Sequence, residues 1–275
     1  MRFLTAVSLL SVALLATGCT QFFEREIELD ELPFARSLVL QTILFPQDSF
    51  VRADVYVTAP AVGDPPADYP RGGLVTEARV TLNGPTGSFP LTFRALGGFN
   101  CYVLPVEGFT LEAGATYEVV AEWDGLTARG RTTIPELAIA RDSIVLEDVS
   151  NDQERRVRPL WPNGPGEDDY YMLFRDQVYE TQPDDVQRDI YDFIHGRDVL
   201  GPTLTGESFA GTSANGYELT INVCQITQAT YDYLLTLEAI RNNNDNPFAE
   251  PTTVANNLEE GRGLVGASSC RRIVY

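Results

Sequence analysis

The amino-acid sequence predicts a mainly β chain, and three observations carry that expectation. Several runs alternate apolar and polar residues, the period-two pattern of half-buried strands: Val51-Ala53-Val55-Val57 against Arg52-Asp54-Tyr56-Thr58, then Ala78-Val80-Leu82, then Tyr117-Val119-Ala121-Trp123. The last run passes through Asp124-Gly125 and continues from Leu126 to Ile134, and Asp-Gly between two such runs signals a hairpin because both turn positions need positive φ. Turn residues also break the chain at short intervals, at Asn83-Gly84-Pro85 and through the Pro-, Gly- and Asp-rich stretch 59–75.

Short strands at this spacing suggest an immunoglobulin-like β-sandwich over residues 37–136, opened by the apolar run Leu38 to Phe45 and closed by Ile134-Pro135. A second β-rich domain with one or two helices is expected over 137–275. Its extended stretches are Ser143 to Val149, Arg156 to Trp161, Tyr170 to Tyr179, Tyr217 to Ile226 and Leu264 to Val274. One helix is expected over Pro183 to Ile194, where Pro-Asp-Asp opens a segment with Val186, Ile190 and Phe193 or Ile194 on one helical face. Another is expected over Gln228 to Arg241, after the N-cap residue Thr227, with Leu234, Leu237 and Ile240 at helical spacing and Asn242 to Pro247 ending it.

The beginning of the chain reads as an export signal. Arg2 is followed by an apolar run from Phe3 to Ala16, too short for a comfortable membrane span, and small residues precede Cys19. Leu15-Ala16-Thr17-Gly18-Cys19 resembles a bacterial lipobox, which implies removal of residues 1–18 and acylation of Cys19, giving a lipoprotein held to a membrane by its N-terminal lipid. Several acyl chains together hold a protein firmly, where one gives only marginal binding. Residues 19–36, with Glu24, Glu26, Glu28, Asp30 and Glu31, form an acidic tether.

A net charge of −19, with no Lys among the 20 basic residues, argues against nucleic acid as a partner, because phosphate binding needs a basic face. Beyond Cys19 the chain has Cys101, Cys224 and Cys270. Either Cys224 pairs with Cys270, since both fall in expected strands of the second half, or all three are buried thiols. No CxxC or Cys/His spacing marks a metal site, and no cofactor is expected.

Several stretches together resemble a known family. They are Gly114-Ala115-Thr116-Tyr117 with Thr132-Thr133-Ile134-Pro135, the pair Tyr170-Tyr171, and Gly216 to Ile221 with Ala229 to Leu234. The clearest is Asn246-Pro247-Phe248-Ala249-Glu250-Pro251, then Asn256-Asn257-Leu258-Glu259-Glu260-Gly261-Arg262-Gly263-Leu264-Val265-Gly266. This is similar to the C-terminal motif of the domain of unknown function 4249 family, from which Val265 and Arg262 depart. The resemblance spans the mature chain and marks Asn246, Pro247, Phe248, Glu250, Pro251, Asn257, Gly261, Gly263 and Gly266 as motif residues. It implies a bacterial outer-membrane lipoprotein, on the periplasmic face or the cell surface, associated with TonB-dependent transporters, and it brings no catalytic residues with it.

The chemical readings of individual motifs are weak. Gly261 to Gly266 fits G-x-G-x-x-G, yet a dinucleotide site needs a following helix and an acid about 20 residues on, and the sequence ends at Tyr275. The expectation is a glycine-rich turn into the last strand, where the glycines allow close backbone approach. His195 is expected just past the first helix, a favourable place for its charge rather than a catalytic one. The acid pairs Asp168-Asp169, Asp184-Asp185 and Glu259-Glu260 read as solvated surface, and Asn242 to Asp245 lacks calcium-loop spacing. Tyr170, Tyr171, Tyr179, Tyr191, Tyr231 and Tyr233 concentrate in the second half, where they line either a core or a recognition surface. The segment Asn246 to Gly266 is expected to pack inside the second half.

The expected function is thus a non-enzymatic envelope protein, an accessory or ligand-binding partner of an outer-membrane transporter. The alternatives are a structural or adhesive surface module and, behind it, a carboxylate-dependent hydrolase.

Overall fold

The computed structural model describes residues 34–274 apart from 61–63, 97–98, 108, 153, 155, 165–168, 180–181, 211–216 and 244–251. Residues 36–58 and 68–275 form one compact unit. The described part of a second unit, within 1–35 and 59–67, carries no helix or strand. Cys19 and the motif residues Asn246, Pro247, Phe248, Glu250 and Pro251 lie outside the described residues.

Among the described residues strands predominate and there is one α-helix, so the protein is mainly β. The first stretch supplies β1 (Leu38–Leu44), β2 (Phe50–Val57), β3 (Arg79–Gly84), β4 (Gly87–Leu96), β5 (Phe99–Pro105), β6 (Thr116–Trp123) and β7 (Leu126–Thr133). The alternation read from the sequence is the burial pattern observed: in β1 and β2 every second residue is buried. Trp123 pairs with Leu126 across a two-residue turn in which Asp124 and Gly125 have φ of 49° and 74°, the positive-φ pair that Asp-Gly was expected to supply.

The second stretch supplies β8 (Val145–Asp148), β9 (Arg156–Pro162), β10 (Tyr170–Tyr179), β11 (Gln182–His195), β12 (Thr203–Thr205), β13 (Phe209–Ala210), β14 (Tyr217–Ile226), helix α1 (Gln228–Asn243), β15 (Leu258–Glu260) and β16 (Arg262–Val274). A large mixed sheet runs in the order β11-β10-β14-β16-β1-β2-β5-β4-β3-β6-β7-β15, and β8, β12 and β13 pair with β9 in a smaller sheet. β16 lies parallel to β1 through Arg262 to Ala267 and antiparallel to β14 through Ser268 to Val274. One strand therefore joins the two stretches of chain.

The expected helix over Pro183 to Ile194 is instead strand β11, paired antiparallel with β10. The cause of the misreading is a β-bulge. Val186, Ile190 and Phe193 pair with Val178, Phe174 and Met172, alternate positions of β10, because the register shifts between Ile190 and Asp192. An extra residue in a strand lengthens its period locally, and the resulting spacing of four then three copies that of a helical face. His195 accordingly ends a strand and not a helix.

The segment before β16 is a second correction. Leu258 and Val265 belong to the core formed by Leu40, Val55, Val80, Leu82, Tyr117 and Ala128, and β15 pairs with β7. The described part of Asn246 to Gly266 thus docks on the first stretch of chain through Leu258 and Val265, while Ala255 and Gly266 meet α1 of the second. Its apolar positions are few, so periodicity gave no hint of which core they enter.

Candidate functional site

The C-terminal motif is built around backbone contact. Asn257 donates its side-chain N–H to the Val265 carbonyl at 2.9 Å and accepts from the Val265 N–H at 3.0 Å. Asn256 Oδ1 accepts from the Gly263 N–H at 2.8 Å. The two amides act as a substitute strand along the side of β16 away from β1. Gly261 and Gly263 have φ of 81° and 121°, and a Cβ on Gly263 would lie 2.1 Å from the Leu40 carbonyl oxygen. On Gly266 it would lie 2.3 Å from Thr230 Oγ1, so that glycine admits the first turn of α1 onto the sheet. The G-x-G-x-x-G run leads from β15 into β16 and brings backbone against backbone.

Cys224 and Cys270 stand directly opposite each other on β14 and β16 and are joined, with their Cα atoms 4.0 Å apart. Cys101 is buried and free, and burial raises its thiol pKa. Glu259 and Glu260 lie beside Arg131 and Arg129 at 3.8 and 4.0 Å, an exposed pairing of small energetic weight. Tyr171 is core, its ring edge-on to Trp161 and its hydroxyl accepting from the Gly164 N–H at 3.1 Å. Among the described residues no group of three or more His, Cys, Asp or Glu is placed to hold a metal ion.

Two features singled out separately in the sequence meet in space. Tyr170, at the start of β10, stacks on His195, at the end of β11, with ring centroids 4.5 Å apart and planes 15° from parallel. Tyr231 in the first turns of α1 lies 5.0 Å from Tyr170 and 5.9 Å from Phe193. Beneath them are Met172, Phe174, Cys224 and Ile226. Edge and tilted contacts between rings add a little beyond burial, so the cluster is a preformed shelf. Ile190 on β11 and Leu235 on α1, each 44% exposed, extend its apolar surface outward.

Asp198 and Asp232 rim this shelf, while Asp192 and Glu207 lie nearby on the other face of β11. Asp198 Oδ2 lies 3.6 Å from His195 Nδ1. The Tyr231 hydroxyl has a raised pKa, first from burial and then from Asp198, Asp232, Tyr170 and Asp192. Burial also raises the Asp192 carboxyl, and Glu207 nearby raises it further, against the backbone N–H groups of Phe193 and Glu207 that favour its charge. Among the described residues Asp192, Glu207, Asp232 and Glu238 make no ion pair, whereas Asp189 on β11 and Glu118, Glu122 and Asp54 farther away each face an Arg.

One cluster went unnoticed in the sequence. Arg188 of β11 lies between the rings of Phe45 and Phe174, at 4.5 and 4.3 Å from their centroids. It donates to Asp48 at 3.1 Å through two nitrogens and to Asp176 at 2.8 and 3.1 Å. Burial works against its charge, but the bonds to Asp176 and Asp48 outweigh it and hold the guanidinium pKa above its ordinary value. Asp176, 1% exposed, also accepts from Asn222 at 3.2 Å. This clasp fixes the turn after β1 to β10 and β11. Its members lie up to 140 residues apart, and no local spacing announces them.

Fold and site together define a mainly β protein with an acid-rimmed aromatic surface and a glycine-rich seam near its C-terminus. The chain belongs to the family described as Domain of unknown function (DUF4249), whose sequence model matches residues 24–273. No curated protein matches it. Among solved structures it is similar to the crystal structure of an alpha-2-macroglobulin mutant from Salmonella, at 11% identity and a TM-score of 0.24, over 90% of this chain and 15% of that one. The chain thus spans a small part of that protein's length, and a likeness at this level carries no argument.

Proposed function

We propose that this chain is a lipid-anchored, non-enzymatic protein of the outer membrane that serves as an accessory or ligand-binding partner of a TonB-dependent transporter. The observation that carries the reading is the surface formed by α1 and β11, where half-buried rings, exposed Ile190 and Leu235 and carboxylates without cationic partners lie together. Aromatic and apolar groups at the centre and polar groups at the rim are the anatomy of recognition surfaces. The lipobox-like run before Cys19 supports the anchor, and the family match begins at residue 24, a few residues beyond it.

The stretch 37–136 acts as the spacer of this assembly, an immunoglobulin-like sandwich. Tyr117, near the start of β6, supports that reading: its hydroxyl accepts from the Glu112 N–H at 2.9 Å, the upstream backbone bond typical of a tyrosine corner.

The test is affinity recovery of the membrane-anchored protein after mild cross-linking, with its partners identified by mass spectrometry. A stoichiometric outer-membrane barrel is expected, lost when Cys19→Ala releases the protein from the membrane. Recovery of the protein alone overturns the reading.

A further inference from the structure

We propose that the outer edge of β11 receives an extended, basic segment of a partner protein as an added strand. This rests on the reading of the α1–β11 surface as the recognition site and names the chemistry of its partner. Among the described residues β11 ends the large sheet. A terminal strand presents unpaired N–H and C=O groups along one side, a ready template for another chain. The regular ladder with β10 runs over Val186 to Ile190 and again over Asp192 to His195, and the mean strand is about 5–6 residues.

The two faces beside that edge differ, and an incoming strand would meet both. Ile190, Phe193 and His195 pair with Phe174, Met172 and Tyr170, which lie in the core beneath α1 together with Tyr231 and Leu234. On this face an added strand would set alternate side chains against Ile190, Phe193 and Leu235. Asp192 pairs with Leu173 and so lies on the opposite face, beside Glu207. Side chains pointing that way would meet carboxylates that no described cation neutralises. Alternating apolar and basic residues satisfy both faces at once. Burial and like charge raise the Asp192 carboxyl, and a cation seated beside it relieves both effects.

The same charges decide against a second copy of this chain. An antiparallel pairing of β11 with itself would bring Asp192 and the neighbouring Glu207, which no described cation neutralises, toward the same carboxylates of the second copy. The one Arg of β11, Arg188, is already committed to Asp48 and Asp176. Like charges directly opposite destabilise a strand pair.

The probes are an octapeptide of alternating Arg and Val and its Glu/Val counterpart, titrated by fluorescence polarisation onto the protein without its leader. The Arg/Val peptide is expected to bind, to weaken about tenfold between about 50 and about 500 mM salt, and to protect backbone amides of β11 from hydrogen exchange. The double variant Asp192→Asn with Glu207→Gln, checked for native circular dichroism, is expected to weaken binding at least about tenfold. Equal binding of the Glu/Val peptide, protection located away from β11, undiminished binding to the double variant, or a β11-mediated dimer in sedimentation overturns the inference. Recovery of a barrel by cross-linking while the peptide fails to bind overturns this inference alone. Peptide protection at β11 with no barrel recovered overturns the transporter reading alone.

Discussion

Replacing Gly263 by alanine tests the seam between β1 and β16. The added Cβ would stand 2.1 Å from the Leu40 carbonyl oxygen and 3.0 and 3.2 Å from the Leu40 carbonyl carbon and nitrogen. All three are backbone atoms, so no side chain can swing aside. The residue also sits at φ 121°, where strain costs about 1–3 kcal/mol. To relieve the clash β1 must separate from β16, and each ladder hydrogen bond lost there costs about 0.5–1.5 kcal/mol. Leu40 is fully buried, so the shift propagates into the core. Together these place the loss at roughly 3–5 kcal/mol, the upper end for a single substitution. Gly125→Ala is the control, because Gly125 has φ 74° and nothing within 4 Å of its would-be Cβ. Only the left-handed penalty of about 1–2 kcal/mol applies to it. Urea unfolding followed by tryptophan fluorescence measures both. A Gly263→Ala loss no larger than that of Gly125→Ala refutes the close-approach argument, while a variant that fails to fold beside a folded control supports it.

Four further outcomes are expected. Arg188→Met leaves buried Asp176 with the more distant Arg272, at 3.8 Å, and costs about 3 kcal/mol in thermal or urea unfolding; adding Asp176→Asn to it restores part of that loss. Asn257→Ala removes both side-chain bonds to Val265, costs about 1–3 kcal/mol, and speeds hydrogen exchange at the Val265 amide. The Cys224–Cys270 bond spans 46 residues, so the double serine variant loses about 4 kcal/mol on the chain-entropy relation; the unfolded, unreduced protein lacking residues 1–19 exposes a single thiol, that of Cys101. Asp192 has a folded pKa above its unfolded one. Its contribution is therefore fully present below the unfolded value and lost as pH rises through the folded value. Asp192→Asn should consequently be more stable than the parent at neutral pH, and the gap measured by thermal unfolding should close as the solution is acidified.

How far the sequence could be read depended on the range of the interaction. Period-two burial in β1, β2 and β6 and the Asp124-Gly125 turn are set by neighbours a few residues away, and they appear in the structure where the pattern placed them. Helix α1 follows Thr227, whose hydroxyl accepts from the Thr230 N–H at 3.3 Å as a capping side chain should. β11 was misread because the residue inserted at its bulge gives a strand the spacing of a helix. The aromatic shelf was half legible: Tyr170, Tyr231 and His195 stood out as residue types, but their meeting depends on β10, β11 and α1 coming together. The Arg188 clasp had no local sign at all, since an Arg in an acidic chain looks like any solvated one until Phe45 and Phe174 close around it.

These distances bear on where function should be sought. The described residues of the most recognisable motif spend their chemistry inside the same molecule, chiefly on its backbone. Asn257 bonds both polar groups of Val265, Gly263 admits Leu40, and Gly266 admits Thr230. Side chains committed in this way hold a strand shared by two parts of the chain, and their spacing is strict because backbone cannot yield as side chains do. A recognition surface obeys the opposite rule: its groups must remain available. That condition is met at β11 and α1, where Ile190 and Leu235 are exposed and Asp192, Glu207, Asp232 and Glu238 have no cation among the described residues. Substitutions in the seam should therefore alter stability and leave partner recovery per folded molecule unchanged, while substitutions at exposed Ile190 and Leu235 and at Glu207 should do the reverse. Seam variants that fold normally but lose the partner would place recognition in the motif and refute this division.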